Sequence, residues 1–193
     1  TIPNTAQLDY SLAQDYSNQI ELTHEHNLWG QPGAIRALYY QQHAFMGNYQ
    51  MAVAMGIASN SIPNISNTRL AAQSSWGYGV NFEQSINENV GLFGRWSWNP
   101  GNTETQTVDI SRSLSGGVSI KGASWSRPSD ILGIGFAVNG IAPIQSTYLQ
   151  MGGMSPFIGD GKLSYKTEQI FETFYNAKVY KAVSYTHLRA HET

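Results

Sequence analysis

The sequence predicts an all-β protein, specifically a transmembrane antiparallel β-barrel, from its alternating strands, its low charge content and its lack of a long apolar run. The clearest alternation is at 76–83, where Trp76, Tyr78, Val80 and Phe82 alternate with small or polar residues. Side chains on a strand point to opposite faces with a period of two, so one face is apolar and the other polar. Apolar-out, polar-in strands with aromatic residues at their ends are typical of outer-membrane barrels.

The composition agrees with this fold class and excludes several functions. Charged residues make up 12% of the chain, against about 25% in ordinary soluble domains. No apolar run approaches the roughly 20 residues that a membrane helix needs. The net charge of −2 gives no indication of nucleic-acid binding, and the absence of Cys excludes disulfides, Cys-ligated metals and thiol catalysis. A soluble all-β domain shares these properties, so composition leaves that alternative open.

The first half of the chain predicts three strands before the clear hairpin. They are expected at 6–12, 20–25 and 34–45, separated by turn-forming residues at 15–18 and 29–33. A long segment rich in Asn and Ser follows at 47–74, with a short helix expected near 48–55. Connections of this length are usually functional or mobile.

The second half continues the alternation. The hairpin strands are expected at 76–83 and 90–98, and further strands at 108–120 and 132–138, with a turn at 122–129. The segment 164–181 is ambiguous, because Ile170, Phe171 and Phe174 have helical spacing whereas Phe171, Tyr175 and Val179 fit a strand. We favour the strand, which gives about eight strands in all.

Short and long connections alternate along these strands. Outer-membrane barrels have short periplasmic turns and long outer loops, so the turn near Ile86 is expected on the periplasmic side. The 46–74, 99–106 and 141–163 connections then face outward. Trp76 and Trp98 are expected at the same outer membrane edge, and Trp96 belongs with them to an aromatic girdle.

Charged residues on the polar parity of the strands are candidates for lining a lumen. Arg36 and Arg95 are the strongest, because an Arg facing lipid at mid-depth would cost about 2–4 kcal/mol. Two interpretations remain open: these arginines form ion pairs with Glu83 or Glu168 that stiffen the wall, or they contact a permeating solute directly. The full candidate set is Glu21, Glu25, Arg36, Glu83, Arg95, Glu168 and Glu172.

Four segments resemble the carbohydrate-selective porin family (OprB-like) of Gram-negative outer membranes. They are GQPGAIRALYY at 30–40, YGVNFEQSINENVGLFGRWSWNPG at 78–101, GASWSRPSDILGIGFAVNGI at 122–141 and FIGDGKLSYKTEQIFETFYNAKV at 157–179. The resemblance implies an outer-membrane barrel of about sixteen strands, often trimeric, that admits sugars by passive diffusion. It implies mono- or oligosaccharides and outer-membrane lipid as partners, no cofactor, no metal and no catalysis. In such a pore the lumen residues named above would contact sugar weakly.

Some residues are also compatible with other functions. A general diffusion porin and a soluble all-β carbohydrate-binding module remain alternatives. Glu168 and Glu172 could suggest glycoside hydrolysis, but on a strand they would be roughly 13 Å apart, too far for the usual carboxylate pair. His24 and His26 share a strand face and could bind a metal with a third ligand such as His43, but an interfacial position is the favoured interpretation.

Both ends of the chain have unusual features. The first residue is not Met and no signal peptide is present, so we expect the chain to be cut at its N-terminus. The resemblance implies about sixteen strands and the sequence predicts eight, so we expect earlier strands of the barrel, and also closing strands, to be missing. Residues 183–193, VSYTHLRAHET, resemble an in-frame translation of a transposase sequencing adapter. We therefore expect a partial porin domain at 1–182 and a non-native tail at 183–193. An open half-barrel leaves unpaired strand edges, so the fragment alone is expected neither to insert nor to conduct.

Overall fold

The computed structural model describes residues 15–104, 110–155, 164–180 and 183–192. Eight strands form one sheet in which each strand pairs antiparallel with its sequence neighbours. The strand expected at 6–12 lies outside the described residues. The strands are β1 Tyr16–Leu28, β2 Gln31–Phe45, β3 Ala72–Ser85, β4 Val90–Trp98, β5 Arg112–Gly122, β6 Arg127–Gly140, β7 Glu168–Tyr180 and β8 Val183–Glu192.

The short and long connections alternate as predicted. Between β1 and β2 the chain turns within two residues, Trp29 and Gly30, whose φ angles of 54° and 76° are both positive. Two-residue turns with positive φ match the twist of the strands that they join, and Gly adopts this conformation without strain. The β3–β4 and β5–β6 connections are also short, whereas 46–71, 99–111 and 141–167 are long. Since the strands alternate in direction, all long connections lie at one end of the sheet.

The long connections contain the helices. Helix α1, Tyr49–Ser59, begins at Asn48, whose side chain accepts a hydrogen bond from the Met51 N–H, and it is the helix expected near 48–55. Helix α2, Pro143–Gln150, was not predicted; Pro at its first position suits a helix start. A short 3₁₀ helix, Ile65–Thr68, lies between α1 and β3. Within the described residues, no helix is long and apolar enough to cross a membrane.

The buried apolar core lies in these long connections and not against the sheet. A cluster of buried side chains joins α1 to α2. It includes Tyr49, Val53, Ile65, Tyr148 and Leu149. The Tyr49 and Tyr148 rings are 5.1 Å apart. The Tyr148 hydroxyl accepts a hydrogen bond from the Ile65 N–H and donates one to the Met154 carbonyl. The connections therefore form a small folded body at one end of the sheet.

The register divides the sheet into two faces, which we call the apolar face and the polar face. Residues paired directly across neighbouring strands share a face, and the pairs run continuously from β1 to β8. The apolar face carries exposed large side chains in all of the first seven strands. They include Ile20, Leu22, Ile35, Tyr39, Trp76, Tyr78, Val80, Phe82, Leu92, Trp96, Leu114, Ile134, Phe136 and Phe171.

Two strands begin inside segments that the sequence predicted to be turns. Strand β1 begins at Tyr16, within the turn expected at 15–18, because its first residues pair with the end of β2. Strand β6 begins at Arg127, inside the segment expected to turn, because the β5–β6 connection needs only a short 3₁₀ turn, Ala123–Trp125. The ambiguous segment is a strand, β7, as favoured. Its pairing with β6 puts Phe171 and Tyr175 on the apolar face, so alternation and not helical spacing describes the segment.

Residues 183–192, which the sequence analysis assigns to a non-native tail, form β8, which pairs with β7. The polarity of β8 departs from that of the other strands. The register places His187 opposite Tyr175 on the apolar face, and Leu188 opposite Phe174 on the polar face. Backbone pairing alone adds this strand, because the strand edge of β7 offers hydrogen-bond partners to any extended segment.

Candidate functional site

All seven charged candidates lie on the polar face. In one row across the sheet, Arg36 pairs with Asn81, which pairs in turn with Arg95. The two arginines are therefore two strands apart, roughly 10 Å at the usual strand spacing. A neighbouring row contains Glu25, Glu83 and Glu172, and a third contains Glu21 and Glu168.

Arg36 has an acidic partner. Its Nη1 donates a hydrogen bond of 2.8 Å to Oε1 of Glu83, the residue diagonal to it on β3. Both side chains are partly exposed, at 32% and 54%, and an exposed ion pair of this kind contributes about 0–1 kcal/mol. The pair matches the wall-stiffening interpretation for Arg36, while leaving both groups in contact with solvent.

Arg95 differs from Arg36. Within the described residues no carboxylate pairs with it, and its guanidinium carbon lies 5.9 Å from the centre of the Phe93 ring. At this distance the cation is attracted to the face of the ring. Most of the donors of Arg95 therefore remain available to a solute on the polar face.

Glu168 ends a chain of hydrogen bonds across three strands. Ser113 donates a 2.8 Å hydrogen bond to the Asn139 side chain, and Asn139 donates one of 2.6 Å to the Glu168 carboxylate. These residues are directly paired across β5, β6 and β7. Glu168 is therefore bound to an amide and not to Arg36 or Arg95. Glu172 lies on the same face of β7, so the two carboxylates point to the same side, as expected for a strand.

The three tryptophans of the predicted aromatic girdle, Trp76, Trp96 and Trp98, lie close together at the end of the sheet that carries the long connections. The Trp76 and Trp98 rings are 5.5 Å apart, and Tyr78 lies 5.3 Å from Trp98 and 5.6 Å from Trp96. Aromatic residues favour membrane interfaces, where one side is apolar and the other wet. Arg112 breaks the apolar pattern of β5, but it is opposite Trp98 at the strand end, where its side chain can reach water.

The three histidines that were candidates for a metal site lie near opposite ends of the sheet. His24 and His26 are on the apolar face near the short-turn end, with ring centres 5.8 Å apart. His26 hydrogen-bonds the buried Gln84 side chain at 2.9 Å. His43 pairs with Tyr16 near the opposite end of β1, so it is too distant to complete a metal site. In the described part of the chain, no three His, Asp or Glu residues come together to hold a metal.

Sequence reasoning missed a polar cluster at the short-turn end of β6 and β7. Asp130 is 2% exposed, and its carboxylate accepts hydrogen bonds from the Tyr175 hydroxyl at 2.6 Å and the Lys178 N–H at 3.0 Å. Arg127 forms an ion pair with the same carboxylate, and Trp125 donates to the Tyr175 hydroxyl. An Asp within a strand pattern after a turn is the only sequence signal, and the partners come from distant positions.

A second missed cluster joins two of the long connections. Arg69 and Glu104 form a two-pronged ion pair, with Nη2 to Oε2 at 2.7 Å, and the Gly47 N–H donates to the same carboxylate. Partial burial acts to raise the pKa of Glu104, but the hydrogen bonds from Arg69 and Gly47 and the charge of Arg69 outweigh it. The pKa of Glu104 is therefore lowered from its ordinary value.

An antiparallel meander with one aromatic, apolar face and one charged face is the wall of an outer-membrane β-barrel. Residues 3–186 match the family described as "Carbohydrate-selective porin, OprB family", and the chain belongs to this family. Family membership places the protein in the outer membrane.

A solved porin has a similar fold. The chain is similar to the high-pH structure of Pseudomonas putida OprB, with a TM-score of 0.69 and 18% sequence identity. The match covers 92% of this chain but 43% of that protein, so the chain spans less than half of its length. None of the curated proteins matches this sequence.

Proposed function

We propose that this chain forms part of the wall of a porin through which carbohydrates diffuse passively into the periplasm. The observation that supports this most directly is the separation of the two faces. Every charged candidate lies on one face, and the large exposed apolar side chains of β1–β7 are concentrated on the other. Lipid suits the apolar face, and a watery lumen suits the polar one.

The polar face has the side chains that a sugar pore needs. Hydroxyl groups can accept hydrogen bonds from Arg36 and Arg95 and donate them to Glu21, Glu25, Glu83, Glu168 and Glu172. These groups are spread over several strands, so a solute can exchange one contact for the next. Conduction requires such weak, distributed binding.

The complete pore requires more than this chain. We propose that residues 1–182 belong to a barrel of about sixteen strands, since the chain that contains β1–β7 matches 43% of the related porin. We also propose that this barrel assembles as a homotrimer, as the family resemblance implies. We further propose that 183–193 are not native to the barrel. The family match ends at residue 186, and β8 has His187 on the apolar face and Leu188 on the polar face.

The test is liposome swelling with the full-length protein. Rates are compared for glucose, a disaccharide and amino acids of similar size. Faster entry of sugars supports a sugar-selective pore, and equal entry of all solutes would reduce the proposal to a general diffusion porin. Absence of swelling from a protein that stays in solution without detergent would contradict the membrane assignment and favour a soluble carbohydrate-binding module.

A further inference from the structure

The polar face contains a patch without side chains. Gly117 on β5 pairs directly with Gly135 on β6, and Gly133 lies two residues along β6 on the same face. Ser115 and Ser119 flank Gly117 on β5. Because three neighbouring positions lack a Cβ, the sheet surface is locally depressed, and the backbone itself forms its floor.

Two phenylalanine rings lie on this patch from opposite sides. Phe93 on β4 pairs with Gly117, and Phe174 on β7 pairs with Gly133. A Cβ added at Gly117 would be 2.7 Å from the Phe93 ring, and one added at Gly133 would be 2.2 Å from the Phe174 ring. Both distances are far inside van der Waals contact. The glycines therefore allow each ring to rest against the backbone of the neighbouring strand.

These rings leave a groove between them on the polar face. Its volume is about 220 Å³, and its lining includes Phe93, Phe174, Ser115, Ser119 and Glu172. Phe93 is 38% exposed, so part of its ring remains open to solvent. An exposed aromatic ring on the face that otherwise carries charged and small residues needs a reason, because the apolar face is the ordinary place for it.

The polar groups of the groove are positioned around the rings. Glu172 pairs with Gly135, so it lies in the same row of the sheet as Phe93, on the far side of the glycines. Within the described residues, no hydrogen bond or ion pair occupies its carboxylate. On the other side of Phe93, the Arg95 guanidinium lies 5.9 Å from the ring centre. An acceptor, hydroxyl groups and a cationic donor thus surround an apolar surface.

We propose that this groove is a binding subsite for a single pyranose ring, with Phe93 and Phe174 contacting its apolar face and Glu172, Ser115 and Ser119 binding its hydroxyls. A pyranose has both surfaces: carbon-bound hydrogens on a ring face and hydroxyls around the edge. A linear polyol has the hydroxyls without a fixed ring face. The subsite therefore discriminates cyclic sugars from linear polyols. This inference rests on the proposed function, because it needs the polar face to line the lumen.

The test measures sugar binding inside single channels of the full-length protein in planar bilayers. Glucose and sorbitol are titrated while ion current is recorded, and the concentration of half-maximal block is compared for wild type, Phe93→Leu and Phe174→Leu. Leucine keeps apolar bulk but removes the flat ring. We expect each variant to weaken glucose block about threefold or more, in the range of aromatic contact energies, with sorbitol block unchanged.

Phe82→Leu is the matched control, because Phe82 lies on the apolar face, outside the groove, and is 36% exposed against 38% for Phe93. Gly133→Ala tests the geometry from the other side: the added Cβ would be 2.2 Å from the Phe174 ring, so it displaces that ring and should weaken glucose block as Phe174→Leu does. If wild-type channels are blocked by glucose but all variants match Phe82→Leu, the subsite is wrong and the proposed pore stands. If wild-type channels neither pass glucose nor are blocked by it, the proposed function fails as well.

Discussion

The Arg36 guanidinium donates a 2.8 Å hydrogen bond to the Glu83 carboxylate on the polar face. Arg95, in the same row of the sheet, has no hydrogen-bond or ion-pair partner among the described residues, and its guanidinium carbon lies 5.9 Å from the centre of the Phe93 ring. The two arginines looked equivalent by strand parity. Their partners separate them: the charge of Arg36 is partly neutralised in place, and that of Arg95 is not. This difference leads to the first prediction.

Arg95→Gln should slow glucose entry more than Arg36→Gln does. Arg95→Gln removes a cation that has no acidic partner, and with it hydrogen-bond donors that a sugar can use. We expect the swelling rate to fall about threefold, which is about half of a tenfold change on a logarithmic scale. Both variants should move ion selectivity toward cations, as reversal potentials in a salt gradient will show. Arg112→Gln is the control, because Arg112 lies on the apolar face at the strand end. An equal effect of all three would contradict the assignment of the polar face to the lumen.

Ile134→Arg should destabilise the barrel strongly, and Ala137→Arg should not. Ile134 lies mid-strand on the apolar face, while Ala137 lies on the polar face of the same strand, opposite Ser115 and Ile170. A charge facing lipid near the bilayer midplane costs about 2–4 kcal/mol, and a lumen-facing one costs little. Urea unfolding of the full-length protein in vesicles measures the difference. An equal decrease in the free energy of unfolding in both variants would argue against lipid contact at the apolar face.

Asp130→Asn should lower the unfolding temperature of the barrel without changing sugar selectivity. The carboxylate is buried and holds Arg127, the Tyr175 hydroxyl and the Lys178 N–H, and an amide cannot accept all of these hydrogen bonds. Tyr175→Phe, which removes one of the three contacts, should have a smaller effect. Thermal melts followed by circular dichroism provide the comparison. An Asp130→Asn variant with the same unfolding temperature as the wild type would contradict this stabilising role of Asp130.

The contact between two of the long connections through Arg69 and Glu104 should weaken in acid. The pKa of Glu104 is lower in the folded protein than its ordinary value, so its interaction with Arg69 stabilises the fold above about pH 4.3, the unfolded-state value. This contribution is lost as the pH falls through the lowered pKa. The protection factors for hydrogen exchange at the Gly47 and Tyr49 amides, which bond to Glu104 and Asn102, should therefore fall as the pH drops through the lowered pKa of Glu104.

Glu104→Gln provides the control for this pH effect. The amide keeps the size of the side chain but cannot titrate, so the protection factors of these two backbone amides should already be lower at neutral pH and should change little in acid. An identical acid response in the Gln variant would show that another group is responsible.

Strand parity alone placed the charged candidates correctly. Glu21, Arg36, Glu83, Arg95 and Glu172 alternate with apolar neighbours, and the register sets all of them on one face. The alternation of short and long connections also predicted that Trp76 and Trp98 lie at the same end of the sheet, and the structure confirms this. The position of these residues and Trp96 at a membrane interface stays a prediction. Whether these charged residues touch sugar remains a prediction.

What the sequence could not supply were the contacts between distant segments. Asp130 meets Tyr175 and Lys178, and Arg69 meets Glu104, only because pairing of the strands brings their connections together. Helix α2 was missed because its eight residues are too short to show a helical period. Nothing in the sequence indicated that residues 183–192 pair with β7, and the non-native origin of this tail stays a prediction.

The sequence by itself determined the class of this protein and the side of the wall on which each residue lies, because a period of two is a local property of an extended chain. Only the tertiary structure decided which residues on one side meet: Arg36 with Glu83, Asn139 with Glu168, and the Phe93 and Phe174 rings with the glycines of the neighbouring strands. The physical reason is the register. A shift by two residues would leave every face unchanged and yet exchange every partner.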